Sequence, residues 1–249
     1  CSQLPYDLIE KYFLPLVYDW QYKEPHSSRT ILHYIVRIMH TSNRTNYDAP
    51  QFKEAYEKTV ALKLSMLAKC KQQVLEKGNE ETLNQWSNTA SLRQGATPIF
   101  KACKPHLYHF EIVRTLVEEF HCDVNHISNH KHVPVFNAAQ HKDPTLLKYL
   151  QSKGANIFYG TGYSSIFSSP TDQNFECIKY ALQQMRIMYD PHANVDIPLK
   201  TVTKQIVKEL FKPSIISRIA GSLQTDNAIE LLKIMIEGDL IHDFDPITF

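Results

Sequence analysis

Three segments of this chain begin in nearly the same way, and that recurrence restricts the fold more than any other feature. They read Thr97-Pro98-Ile99-Phe100-Lys101-Ala102, Val133-Pro134-Val135-Phe136-Asn137-Ala138 and Ser164-Ser165-Ile166-Phe167-Ser168-Ser169. Their starts lie 36 (133 minus 97) and 31 (164 minus 133) residues apart, near the period of about 33 that marks one class of stacked helical units. Two short antiparallel helices cannot bury their apolar faces alone, so such units imply neighbours piled in a row.

The stretch 133–157 shows the parts of a unit. Pro134 suits the first turn of a helix, where its missing N–H is not needed. The small pair Ala138/Ala139 lets a second helix approach closely. Asp143 can cap that helix, with Pro144 at its first position. Leu146, Leu147 and Leu150 supply an apolar stripe at helical spacing, and Gly154 ends the helix in a left-handed conformation.

These features resemble the ankyrin-repeat family, whose signature is T-P-L-H-x-A followed by a second helix that closes near G-A. Gly95-Ala96-Thr97 and Gly162-Tyr163-Ser164 match the lead-in, while Phe100, Phe136 and Phe167 stand where the family usually has His. Two extra residues near Pro105 and His106 separate the helices of the first unit, whose second helix runs from Glu111 to Val117. The likeness is clear over 97–186 and degenerate at both ends. It implies an all-α, ankyrin-type helical repeat solenoid with short β-hairpin loops. On this reading residues 1–249 form a single array: degenerate first repeats over 1–47, an inserted long helix and loop over 48–95, typical repeats over 96–189, and a degenerate helical repeat or cap over 190–249.

The ends and the insertion are read from local pattern. Leu4 to Trp20 has helical spacing broken by Pro15, and Thr30-Ile31-Leu32-His33-Tyr34-Ile35 returns to the signature with its His present. His33 is expected to be a buried imidazole that ties a loop to backbone groups. Asp48 with Gln51 three residues on marks a helix start, and Phe52, Tyr56, Val60, Leu64, Leu67 and Val74 continue the pattern to a stop at Gly78. That helix, over 48–77, would be about 40 Å long, far longer than a repeat helix. Residues 79–94 are polar and read as a short helix and a loop, with Trp86 in the loop. Later, Leu199 to Phe211 forms one amphipathic helix. A last unit spans Ser214 to Ala220 and Ile229 to Ile236, with Gly238 just past its end. The tail 239–249 has no period.

The richest group of chemical side chains is the stretch 121–132, with His121, Cys122, Asp123, His126, His130 and His132. Imidazole and thiolate ligands at short spacing suit zinc, but C-x-x-C is absent. The register makes this stretch a polar hairpin finger facing a partner, where histidines make contacts pH-dependent. Cys103 beside His106 has the residue types of a nucleophile pair, yet spacing along the chain does not define such a pair. Cys103 and Cys177 fall at apolar repeat positions and read as core. No G-x-S-x-G, H-E-x-x-H, Walker or G-x-G-x-x-G motif occurs. Lysines such as Lys63, Lys69, Lys71, Lys200, Lys204 and Lys208 read as solvated helix faces.

With 7 glycines in 249 residues, no Gly-rich phosphate loop is available. A net charge of +1 gives no bulk pull toward polyanions, and nucleic acid is not an expected partner. No run reaches the roughly 18 apolar residues of a membrane span. Five scattered cysteines, an odd number, point to reduced thiols and an intracellular compartment, cytoplasmic or nuclear. The chain opens on Cys1 rather than Met, so residues preceding it are expected.

The resemblance implies a protein–protein interaction module without catalysis or cofactor. It would bind a partner protein or peptide through its concave face and fingers, within a larger regulatory or scaffold protein. The matching face positions are Lys101, Lys104, Asn137, Gln140, Ser168 and Thr171. The finger tips add His126, Ser128, His130, Lys131, Tyr159 and Tyr163, and the two tyrosines are the first choice for hot spots. Two other readings fit the sequence. One is a module of a secreted bacterial effector that engages a host protein. The other is an enzyme with its active site in the irregular 40–95 or 190–249 regions.

Overall fold

The computed structural model describes residues 19, 22–38, 50–160, 165–189, 207, 210, 213–238 and 240. The expected helices over 4–20 and 199–211 and the 239–249 tail lie almost wholly outside these residues; Val207 and Leu210 are described, both helical and buried. The described chain is mostly helical. It forms two compact units, 1–130 and 131–249, and the boundary falls in the His-rich stretch.

The first unit contains α1 (Ile31–Ile35), α2 (Pro50–Lys77), α3 (Glu80–Ser87), α4 (Pro98–Ala102) and α5 (Phe110–Glu118). The short helices α1 and α4 pack on each other, as do the longer α2 and α5; α1 also packs on α2, and α4 on α5. Leu32 and Ile35, Leu67 and Val74, Ile99, and Val113 and Leu116 are fully buried between these layers. Each such side chain contributes about 1.5–3 kcal/mol when removed from water. As expected, α4 has proline at its start and α2 stops just before Gly78. Asp48, the expected cap of α2, lies outside the described residues. Asn79 caps α3 by accepting from the Thr82 N–H at 2.9 Å. Trp86 belongs to this helix and not to a loop: the helix continues to Ser87, whose Oγ donates to the Phe120 carbonyl at 2.7 Å.

The second unit contains α6 (Pro134–Ala138), α7 (Thr145–Ser152), a single 3-10 turn (Ile166–Ser168), α8 (Phe175–Met188), α9 (Pro213–Ser222) and α10 (Thr225–Glu237). Helix α6 pairs with α7 and α9 with α10; the 3-10 turn packs on α9, and α8 on α10. Tyr180 on α8 donates to Gln151 on α7. Helix α7 starts one residue later than expected: Pro144 is its cap residue and not its first helical position, and Asp143 accepts from the Thr145 N–H at 2.7 Å from just before the cap. Gly154 has φ of +86° just after the helix. The segment expected to open a third α-helical unit makes only the 3-10 turn. Its serines compete for backbone groups, and Pro170 cannot continue a helical hydrogen-bond ladder. Ser165 accepts from the Phe167 N–H at 3.2 Å and closes the turn locally.

Among the described residues the expected β-hairpin loops are not built as strands. Among the described residues there is an isolated antiparallel bridge between Lys23 and Thr30, and residues 121–132 are turns and irregular backbone. Side chains and single backbone bonds replace the strand ladder. No helix among the described residues is long and apolar enough to cross a membrane.

Candidate interaction surface

Three loops of the first unit are joined in a row by two backbone bonds. The Leu92 N–H donates to the Ser27 carbonyl at 2.9 Å, and the Asn129 N–H donates to the Gln94 carbonyl at 2.9 Å. Asn129 Nδ2 adds bonds to the carbonyls of Leu92 and Arg93, at 3.2 and 3.4 Å. Gly95 makes this approach possible. Its φ is +60°, and a Cβ there would stand 2.3 Å from Asn129 Oδ1. His126 Nε2 meets the Gly95 carbonyl at 2.8 Å.

His33 ties the loop that ends at Ala96 to the start of α1, as its sequence position leads one to expect. Its Nδ1 faces the Thr30 N–H at 3.1 Å, a group that can only donate. Nδ1 is therefore the acceptor, and Nε2 carries the proton toward the Ala96 carbonyl at 2.9 Å. Burial pushes this imidazole down to about 4, against the two backbone bonds and with help from Arg29 and Lys101.

Helices α1 and α4 repeat each other's burial pattern with an offset of 67 (97 minus 30 for the threonine caps). Thr30/Thr97, Leu32/Ile99, His33/Phe100, Ile35/Ala102 and Val36/Cys103 are buried, whereas Tyr34/Lys101 and Arg37/Lys104 face outward, exposed on α1 and half-buried on α4. Lys101 and Lys104, expected on a binding face, therefore share it with Arg37 and Tyr34. Arg29 stands close enough to act on Lys101 electrostatically. Burial first, then Lys104, Arg37 and Arg29, hold the Lys101 ammonium down to about 8. Lys101 also donates to Gln94 in the loop row. Nothing in the local sequence marks the two arginines for this face, although the 67-residue offset aligns Arg37 with Lys104.

The remaining expected positions divide. His130, Lys131 and Thr171 are exposed, and His126, Gln140 and Tyr159 are half-buried. Ser128 (4% exposed), Asn137 (8%) and Ser168 (4%) are buried, so the expectation that they are surface positions does not hold. The cause is local: the small side chains of Ser128 and Ser168 do not reach past tightly turned backbone, and the Ser168 carbonyl is covered by Arg218 at 2.9 Å. Tyr163 lies outside the described residues. The histidines of 121–132 do separate things: His121 faces Glu80 at 3.6 Å, His126 bonds Gly95, and His132 stacks on Phe136 with centroids 3.8 Å apart. No group of three or more metal-ligating side chains forms among the described residues. Cys103 is fully buried and burial pushes its thiol up, which works against a thiolate nucleophile.

Lys63 overturns its expected place on a solvated face. It is 0% exposed, inside the first unit. On α2 the buried positions are Thr59, Val60, Leu62, Lys63, Met66, Leu67, Cys70 and Val74, which recur at steps of three and four, so the lysine lies within the buried face of the helix. Its Nζ donates to the Val36 carbonyl at 3.1 Å and meets His109 Nδ1 at 3.3 Å. His109 stacks on Tyr56 with centroids 4.8 Å apart, and Glu111 acts on the same tyrosine. Burial alone pushes the Lys63 ammonium down to about 7.

No family model, curated protein or solved structure matches this chain.

Proposed function

We propose that this chain is a protein-binding module, an ankyrin-type array of stacked helix pairs that presents short-helix faces and joined loops to a partner protein or peptide. It serves as part of a larger intracellular regulatory or scaffold protein. The observation that supports this most is the combination on the first unit: α1 and α4 side by side with matching burial, flanked by loops bonded through Leu92–Ser27 and Asn129–Gln94. Such a surface is rigid, because backbone bonds fix the loops, and its outward side chains can vary without disturbing the buried ones. Rigid presentation lowers the ordering cost of binding.

The test is a selection of displayed random peptides on the folded protein, followed by affinity measurement of the enriched sequences. A binding module yields enriched peptides whose affinity falls when outward residues of α1 and α4 are changed. A selection that enriches nothing, repeated with both peptide and folded-domain libraries, refutes the reading.

A further inference from the structure

Among the described residues the outward face of α1 and α4 is basic, and no salt bridge offsets its charge. Arg37 and Lys104 occupy equivalent positions two residues past the ends of helices that pack on each other, and Lys101 stands opposite Tyr34 in the same register. Arg29 completes the group from the loop before α1. Among the described residues none of these four cations is in a salt bridge. The nearby acid, Glu24, acts on Arg29 but already accepts from Ser27 and from the Tyr34 hydroxyl, the latter at 2.7 Å. The corresponding positions of the next sequence repeat, Asn137 and Gln140, are neutral. The basic character is therefore a property of this one face and not of the framework.

We propose that Arg29, Arg37, Lys101 and Lys104, with Tyr34 at their edge, form the docking site for an acidic segment of a partner protein, held through its carboxylate side chains. The proposal rests on the interaction-module reading and names the partner's chemistry. Like charges crowded on a rigid face repel one another, and an approaching carboxylate relieves that repulsion while accepting bidentate bonds from guanidinium. The depressed Lys101 ammonium fits this, since it is the cation that an incoming anion would restore. Tyr34, 43% exposed, supplies a flat apolar wall of a kind enriched at interface hot spots. A nucleic acid fits less well: the whole chain carries a net charge of +1, so no long-range field gathers a polyanion.

The experiment is the random-peptide selection, carried out on the wild type and on an Arg37→Glu/Lys104→Glu variant whose melting curve is first shown to match the wild type. Direct titrations with a Glu-rich decapeptide, its Gln counterpart, a ten-nucleotide single-stranded DNA and phosphatidylserine vesicles accompany it. The proposal expects enrichment of Asp- and Glu-rich sequences, about tenfold or greater weakening by the double charge reversal, and no binding of the Gln peptide. Enrichment of peptides without acidic bias, unaffected by the reversal, overturns the proposal and leaves the module reading standing. Tighter binding of DNA or vesicles through the same residues also overturns it. No enrichment in any arm removes both. Should the double variant melt early, Lys101→Gln and Arg29→Gln tested singly give the same discrimination.

Discussion

The amine of Lys63 lies 3.3 Å from Nδ1 of His109, and neither residue reaches the surface. A lysine with no exposure, on the apolar stripe of a 28-residue helix, carries a desolvation cost that its contacts with Val36 and His109 offset only in part. Tyr56 and Glu111 complete the polar cluster.

That cost has a definite sign with pH. The folded-state value of Lys63 falls from 10.5 to about 7, so between those values the unfolded chain binds more protons, and stability rises with pH across the window. The contribution is fully present above 10.5 and lost as pH falls to about 7. Urea unfolding at pH 6 to 10 should show Lys63→Met more stable than wild type by about 1–4 kcal/mol at and below pH 7. The gap should narrow as pH rises. A gap independent of pH would show that the lysine is not the titrating group.

His33 governs the acid side. Its imidazole is neutral when folded, with its value lowered from 6.5 to about 4. Its contribution is therefore present above pH 6.5 and lost as pH falls through the window to about 4. A His33→Gln variant should be less stable than wild type at pH 7, having lost part of the Thr30 and Ala96 bonding, yet should lose less stability between pH 6.5 and 4. Parallel slopes in that interval would contradict the assignment.

Two glycines with similar backbone angles should respond differently to alanine. Gly95 has φ of +60° and no room for a Cβ, which would meet the backbone nitrogen of Asn129 at 2.7 Å. Gly154 has φ of +86° but nothing within 4 Å. Thermal unfolding should show Gly154→Ala costing about 1 kcal/mol from backbone strain alone. Gly95→Ala should cost about 2–4 kcal/mol, because the loop row must shift as well.

Much of the helical framework can be read from sequence because its signals are local. Pro98 and Pro134 start helices, Asp143 bonds the first N–H of α7 from one residue before its cap, and Gly78 and Gly238 follow the ends of α2 and α10. The misreadings share a different physical origin, in that tertiary packing decides them. Leu64 and Lys63 are adjacent on α2, and hydrophobicity alone assigns the stripe to the leucine. Both residues fit the three- and four-residue steps between Val60 and Leu67, and it is the packing that places Lys63 inward and leaves Leu64 half-buried. Residues 121–132, which form no strands, are instead held to the neighbouring 91–96 loop by His126 and Asn129, bonds that no pattern within the stretch reveals. The basic face likewise depends on tertiary structure, since it is the packing of α1 on α4 that brings Arg37 and Lys104 to one side.

Backbone amide shift mapping by NMR, with a selected peptide titrated into the isotope-labelled chain, examines the proposed docking face directly. Perturbations should concentrate on Arg29, Tyr34, Arg37, Lys101 and Lys104 and spread to the 91–96 loop. Perturbations confined to α3 or α10, with those five residues unmoved at saturation, would contradict the assignment.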